Sequence, residues 1–157
     1  SQQIRSIMSR GDKAYAFFNE GYNCSQAVTL AFADLYPEKA DDMVKIMSSF
    51  GGGFGRMREV CGAFSGICAV LGLLCGFDGK NGVSKAEHYA IVRELGEQFK
   101  KDNGSLICRE LLGATAKLSS EDPSVRSAEY KAKRPCAELC RYCADILEQK
   151  LVEKGVI

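Results

Sequence analysis

Apolar residues recur at spacings of three and four through most of this 157-residue chain, whereas the alternating runs typical of strands are scarce. This periodicity predicts an all-α fold. No internal repeat, low-complexity tract or linker divides the sequence, and a chain of this length buries enough surface to fold without cross-links. We therefore expect residues 1–157 to form a single compact bundle of six or seven helices.

Capping residues, glycines and prolines define the expected helix boundaries. Helices are predicted over the ranges 3–19, 24–35, 38–49, 57–76, 84–101, 106–112 and 135–154. The stretch 114–134 is polar and contains a proline, which predicts a long loop with one helical turn near 124–130. The glycine-rich segment "FGGGFG" precedes the fourth helix, and glycine at these positions lets the backbone approach another element or a cofactor.

The charge pattern argues against two classes of partner. Twenty-one Lys and Arg residues balance 20 Asp and Glu residues, and both signs are interspersed, so we expect no nucleic-acid partner and no anionic membrane surface. The longest mainly apolar run, 60–77, is shorter than the roughly 20 residues that a membrane helix needs. The longest basic cluster, "KAKR" at 131–134, is short, and we interpret it as a solvated loop.

Cysteine usage favours a reducing compartment. The eight cysteines fall below the density of small disulfide-stabilised domains, and no stretch has the pattern of a secretion signal. We therefore expect a reduced, cytoplasmic protein.

Three of the cysteines, Cys61, Cys68 and Cys75, lie seven residues apart in "EVCGAFSGICAVLGLLCG". On a helix that rises about 1.5 Å per residue, neighbours in this series are about 10.5 Å apart. Sulfurs that share one tetrahedral metal lie only about 4 Å from each other. The three residues therefore cannot ligate one metal, and Cys68 and Cys75 are expected to act as small hydrophobic residues.

Four other positions share a more informative property. Four helix-start signals are the caps Asn23 and Ser105, the glycine-rich loop before Cys61 and the proline at 135. They predict four cysteines in the first turns of four different helices: Cys24, Cys61, Cys108 and Cys136. Free amides and the helix dipole favour a thiolate there. If these helix ends converge, they form an electropositive pocket lined by low-pKa thiols, which suits a thiolate-ligated cluster or a reactive dithiol pair.

Other candidates have simpler interpretations. Cys140 and Cys143 could chelate together with Cys136, since they follow a C-x3-C-x2-C pattern on one helix, but they also extend its apolar stripe, which is the interpretation we favour. The single histidine, His88, is expected to be an ordinary helix residue. Two arginines in "GFGRMR", Arg56 and Arg58, are expected to be solvated, although they could offset the charge of an anionic site.

Four segments together carry a family resemblance: "GYNCSQAV", "FGGGFGRMREVCGAFSG", "GSLICRELLG" and "RPCAELC". In this order they resemble the C-GCAxxG-C-C family of redox-active proteins over about residues 20–150. The positions that match the family's four cysteines are Cys24, Cys61, Cys108 and Cys136. The central motif here has Gly62 after the cysteine rather than before it. The resemblance implies a redox function without naming a substrate.

The small residues of the central motif allow a close approach. Gly62, Ala63 and Gly66 would let another helix or a cofactor come near Cys61. We include Gly62 and Gly66 with the four cysteines as candidate cofactor-binding residues.

Three functions fit these features. The first is an iron–sulfur cluster, most simply [2Fe–2S], held by the four cysteines for electron transfer or redox sensing. The alternatives are metal-free thiol–disulfide exchange with two of the four as redox thiols, and a structural zinc site in a helical module. A redox role implies a redox partner protein, and assembly into a homo-oligomer stays open.

Overall fold

The computed structural model describes residues 8–113 and 135–157, and within these ranges the protein is all-α. The seven helices of five or more residues in the described part are α1 Arg10–Asn19, α2 Cys24–Leu30, α3 Ala40–Met47, α4 Gly62–Cys75, α5 Lys85–Asn103, α6 Cys108–Leu112 and α7 Cys136–Glu153. Single turns lie at Ala33–Leu35, Pro37–Lys39, Ser48–Phe50 and Gly51–Phe54. The predicted fold class is confirmed.

Some predictions fall on residues outside the described ranges. These are the start of the first predicted helix, the turn near 124–130 and the basic cluster at 131–134. None of the helices in the described part is both long and apolar enough to cross a membrane.

Several predicted helix boundaries are wrong. The predicted helix over 3–19 is interrupted at Ser9, which is the N-cap of α1. Helix α2 ends at Leu30, and the expected continuation to residue 35 is a separate 3-10 turn. Helix α4 begins at Gly62 rather than near residue 57, because Phe54, Arg56 and Arg58 have positive φ angles of 65°, 65° and 62°. A right-handed helix cannot include residues in this left-handed conformation. The segment 51–58 is therefore a folded loop, called here the glycine loop.

The core lies among α1, α2, α4 and α7. Helix α7 packs chiefly against α1, while α2 contacts α1, α4 and α7. Fully buried side chains from these helices and from α5 fill the centre: Val28, Ile67, Val70, Leu71, Leu95, Phe99, Leu147 and Leu151. Cys140 and Cys143 are also fully buried in this core, as expected for an extension of the apolar stripe of α7.

Helices α2 and α4 approach closely at Gly66. A Cβ atom on this glycine would lie 2.8 Å from Val28 Cβ and 3.0 Å from the Ser25 carbonyl oxygen. Both neighbours are rigid, so Gly66→Ala is expected to destabilise the protein by about 1–3 kcal/mol, the usual range for overpacking. Chemical denaturation measures this change.

The same helix offers a matched control. Gly72 is exposed, and apart from the backbone of its own helix no heavy atom lies within 4 Å of the position its Cβ would take. Gly72→Ala is expected to stabilise the protein by about 0.5–1 kcal/mol, because alanine loses less backbone entropy in a helix. Equal effects of the two substitutions would contradict the packing role of Gly66.

Candidate functional site

Four of the eight cysteines stand at helix starts. Cys24, Cys108 and Cys136 are the first residues of α2, α6 and α7, and Cys61 is the N-cap of α4. The expected position of Cys108, third in a helix capped by Ser105, is wrong, because the cap is Ile107. Cys61, Cys108 and Cys136 therefore lie closer to their helix starts than the sequence predicts, whereas Cys24 is the first helical residue, as predicted.

These four cysteines line a single cavity of about 380 Å³. Its walls also include residues of the glycine loop and the apolar side chains Phe18, Leu111, Leu112 and Leu139. Cys68 and Cys75 do not line the cavity and pack instead against the hydrophobic core. The structure thus brings together the four helix starts that the sequence singles out.

A short backbone pairing holds two of the cysteines side by side. Val60 and Ile107 form an isolated antiparallel β-bridge, in which the amide of Cys61 donates to the Leu106 carbonyl at 2.8 Å. The amide of Cys108 donates to the Glu59 carbonyl at 2.5 Å. We call this arrangement the Val60–Ile107 bridge, and it connects the start of α4 to the start of α6.

Cys24 is positioned by the cap of α2. The Asn23 side chain accepts from the Gln26 amide at 2.8 Å, and the Gln26 side chain accepts from the Asn23 amide at 3.1 Å. This is the predicted capping box. The Asn23 side chain also donates to the Ser48 carbonyl at 3.1 Å, which ties the start of α2 to the approach of the glycine loop.

Gly62 brings the start of α4 against the start of α2. A Cβ atom at this residue would collide with Cys24 Sγ, so only glycine allows the present spacing of Cys24 from α4. Gly62 lines the cavity, whereas Gly66 packs against α2 away from the cavity lining. The structure therefore separates the two candidate glycines, one in the cavity wall and one at a helix contact.

Comparison with models of known protein families gives a match that spans the site. The model of the family described as "Putative redox-active protein (C_GCAxxG_C_C)" matches residues 22–150. The chain belongs to the C-GCAxxG-C-C family. The matched residues include all four cysteines of the cavity, and the family's description is redox-active. Neither the search of curated proteins nor the search of solved structures gave a match.

The thiols of this C-GCAxxG-C-C protein differ from the sequence expectation in one respect. Burial raises the pKa of both Cys61 and Cys24. Hydrogen bonds from backbone amides lower it, from Phe64 and Ala63 at Cys61 and chiefly from Gly52 at Cys24. Burial has the larger effect at both residues. The expectation of low-pKa thiols is therefore wrong for these two residues. Without a charge-compensating partner, both are protonated at neutral pH.

Burial also raises the pKa of the two cysteines behind the cavity. The pKa of Cys140 and of Cys143 lies well above the usual thiol value, and the nearby cavity thiols raise it further. The Cys140 thiol donates to the Cys24 carbonyl at 3.7 Å. These two residues form a buried layer next to the C-GCAxxG-C-C cysteines.

The expectation of a solvated Arg58 is wrong. Its side chain lines the cavity, the residue is only 7% exposed, and Nη1 donates to Cys108 Sγ at 3.6 Å. Arg56, which is half-buried, also lines the cavity. No carboxylate is among the described residues that line it. The cavity therefore combines four thiols with two guanidinium groups.

Sequence reasoning missed both the burial of Arg58 and the Val60–Ile107 bridge. The available signal was small: Cys61 and Cys108 each directly follow a β-branched residue, Val60 and Ile107, of the type that favours strand pairing. Within residues 8–113 and 135–157, no group of three or more His, Cys, Asp or Glu side chains is arranged to hold a metal ion. His88 is buried against Phe77 and does not line the cavity.

Proposed function

We propose that the protein is an electron-transfer or redox-sensing module in which four cysteines hold an iron–sulfur cluster, most simply [2Fe–2S]. The ligands are Cys24, Cys61, Cys108 and Cys136. The observation that carries the proposal is that these four thiols, from four separate helix starts, line one cavity. Four thiolates are the usual ligand set of such clusters.

The shape of the site favours a cluster over a structural zinc ion. In a structural zinc site, four ligands close around one ion at about 2.0–2.3 Å. Here the cysteines surround a cavity of about 380 Å³, which is far more space than one ion occupies. A cluster held by the four cysteines would occupy more of this space than a single ion.

The electrostatics at Cys61 and Cys24 favour a bound group over free redox thiols at these two residues. Metal-free thiol–disulfide exchange needs a thiolate as nucleophile. Burial raises the pKa of Cys61 and Cys24, so both are poor nucleophiles on their own. A coordinated metal deprotonates its thiol ligands outright, and the backbone amides that reach these sulfurs would then stabilise the thiolates.

The residues around the cysteines supply the rest of the environment. A bound cluster would supply one-electron transfer. Phe18, Leu111, Leu112 and Leu139 form an apolar part of the wall, which restricts water and lowers the local dielectric constant. Arg56 and Arg58 in the same wall complement negative charge.

Anaerobic purification of the full chain tests the proposal. We expect brown protein with charge-transfer absorption in the visible range, and iron and acid-labile sulfide in equal amounts. Colourless protein with one zinc per chain, which loses helicity on chelation, would identify the zinc alternative. Colourless, metal-free protein with full helicity and a thiol count that falls on mild oxidation would identify the dithiol alternative.

A further inference from the structure

The described part of the cavity wall contains a buried cation with unused hydrogen-bond donors. Arg58 is 93% buried, and its Nε and Nη2 atoms have no hydrogen-bond partner among the described residues. Its third nitrogen, Nη1, donates to Cys108 Sγ. A buried guanidinium with two nitrogens that make no hydrogen bond is costly, so Arg58 calls for a compensating partner.

The described protein residues do not supply that partner. No carboxylate is among the described residues that line the cavity. The carboxylate next in sequence, Glu59, accepts from Arg109 at 2.8 Å. The side chain that Arg58 does contact is the Cys108 thiol, which is anionic when it is a metal ligand.

The backbone fixes Arg58 in this place. Its amide donates to the Gly52 carbonyl at 3.1 Å, and its carbonyl accepts from the Arg109 amide at 3.2 Å. Its φ of 62° is left-handed, a strained conformation that persists only where the surrounding structure enforces it. The side chain is therefore held against the start of α6 rather than free to turn to solvent.

We propose that Arg58 is the counter-charge of the cysteine cavity, and that its Nε–H and Nη2–H groups donate to the bound cluster and raise its reduction potential. This inference rests on the proposed function. Reduction adds one electron and thus one negative charge to the cluster. A buried guanidinium stabilises the more negative, reduced state more than the oxidised state, because the low dielectric strengthens the attraction.

Reduction potentials of the cluster-loaded protein test the role of Arg58. In an anaerobic titration, dithionite supplies the electron and the visible absorption reports the oxidised fraction. Arg58→Met removes the positive charge and the hydrogen-bond donors. We expect the ratio of reduced to oxidised protein at a given solution potential to fall at least tenfold. This corresponds to a decrease of about 59 mV in the reduction potential for one electron. Arg58→Lys keeps the charge without the planar donor fork, and a smaller shift in the same direction is expected.

Arg109→Gln is the matched control. Arg109 follows Cys108 directly, but its side chain is 52% exposed and paired with Glu59. Solvent screens its charge, so this variant should keep the wild-type potential. An unchanged potential in both Arg58 variants, or an equal shift in Arg109→Gln, would overturn the inference. If the Arg58→Met variant releases its iron, the reduction potential of the Arg58→Lys variant tests the inference instead.

Metal-free protein separates this role from a structural one. Without a cluster the charge of Arg58 is uncompensated, so Arg58→Met should melt at or above the wild-type temperature. A marked fall in melting temperature would indicate a purely structural role and would contradict the proposal. Wild-type protein that binds no iron at all would instead refute the proposed function itself, so the two failures are distinguishable.

Discussion

Serine in place of a single cavity cysteine is expected to reduce iron retention by at least about tenfold. This applies to Cys24, Cys61, Cys108 and Cys136, which line the same cavity. A hydroxyl is a much weaker acid than a thiol and a harder ligand, so it does not replace a thiolate on iron. Loss of residues that only support ligands already costs about 10–100-fold in metal affinity. Iron and sulfide content and the visible absorption measure the effect.

Cysteines outside the cavity provide the controls. Cys68 and Cys75 are partly buried on α4 but do not line the cavity, so Cys68→Ser and Cys75→Ser should retain iron. Cys140→Ala should lower stability, because Cys140 is fully buried in the core, yet it should also keep the cluster. Equal loss of iron in Cys75→Ser, or full retention in all four cavity variants, would contradict the assignment of the ligands.

Gly53→Ala is expected to be the most destabilising substitution in the glycine loop. A Cβ atom there would lie 2.5 Å from the Glu59 amide nitrogen and 2.8 Å from Cys108 Cβ, and the residue has a φ of 69°. The left-handed conformation costs alanine about 1–2 kcal/mol, and overpacking against fixed atoms adds about 1–3 kcal/mol. Chemical denaturation should therefore show a loss of about 2–5 kcal/mol, with reduced iron retention because Cys108 must shift.

Gly55 separates the two contributions. It has a φ of 59°, but nothing lies within 4 Å of the position of its Cβ. Gly55→Ala should cost only the conformational part, about 1–2 kcal/mol, and should leave iron retention unchanged. A loss in Gly55→Ala as large as that in Gly53→Ala would show that crowding against the start of α6 is unimportant.

Local signals in the sequence predict much of the fold. The capping box at Asn23 and Gln26 predicts the start of α2 to the residue, because a cap involves only neighbours in the chain. The proline at 135 predicts the start of α7 within one residue. Cys24 and Cys136 lie beside such signals, whereas the helix starts predicted before Cys61 and Cys108 are each displaced toward the cysteine.

Long-range contacts account for what the sequence does not predict. Arg58 is buried because it meets Cys108, 50 residues away, and no local pattern encodes that meeting. The start of α4 is displaced because the glycine loop adopts left-handed angles at Phe54, Arg56 and Arg58, which are not glycines. The high pKa of Cys61 depends on burial by distant helices, whereas the sequence shows only the helix end that would lower it.

The Val60–Ile107 bridge couples the positions of Cys61 and Cys108. Its two backbone hydrogen bonds join the residues on either side of the bridge, so these two cysteines cannot separate unless both bonds break. Cys24 and Cys136 begin helices that the bridge does not include. The starts of α4 and α6 are therefore coupled through the backbone, so a displacement of one of these two cysteines is transmitted to the other.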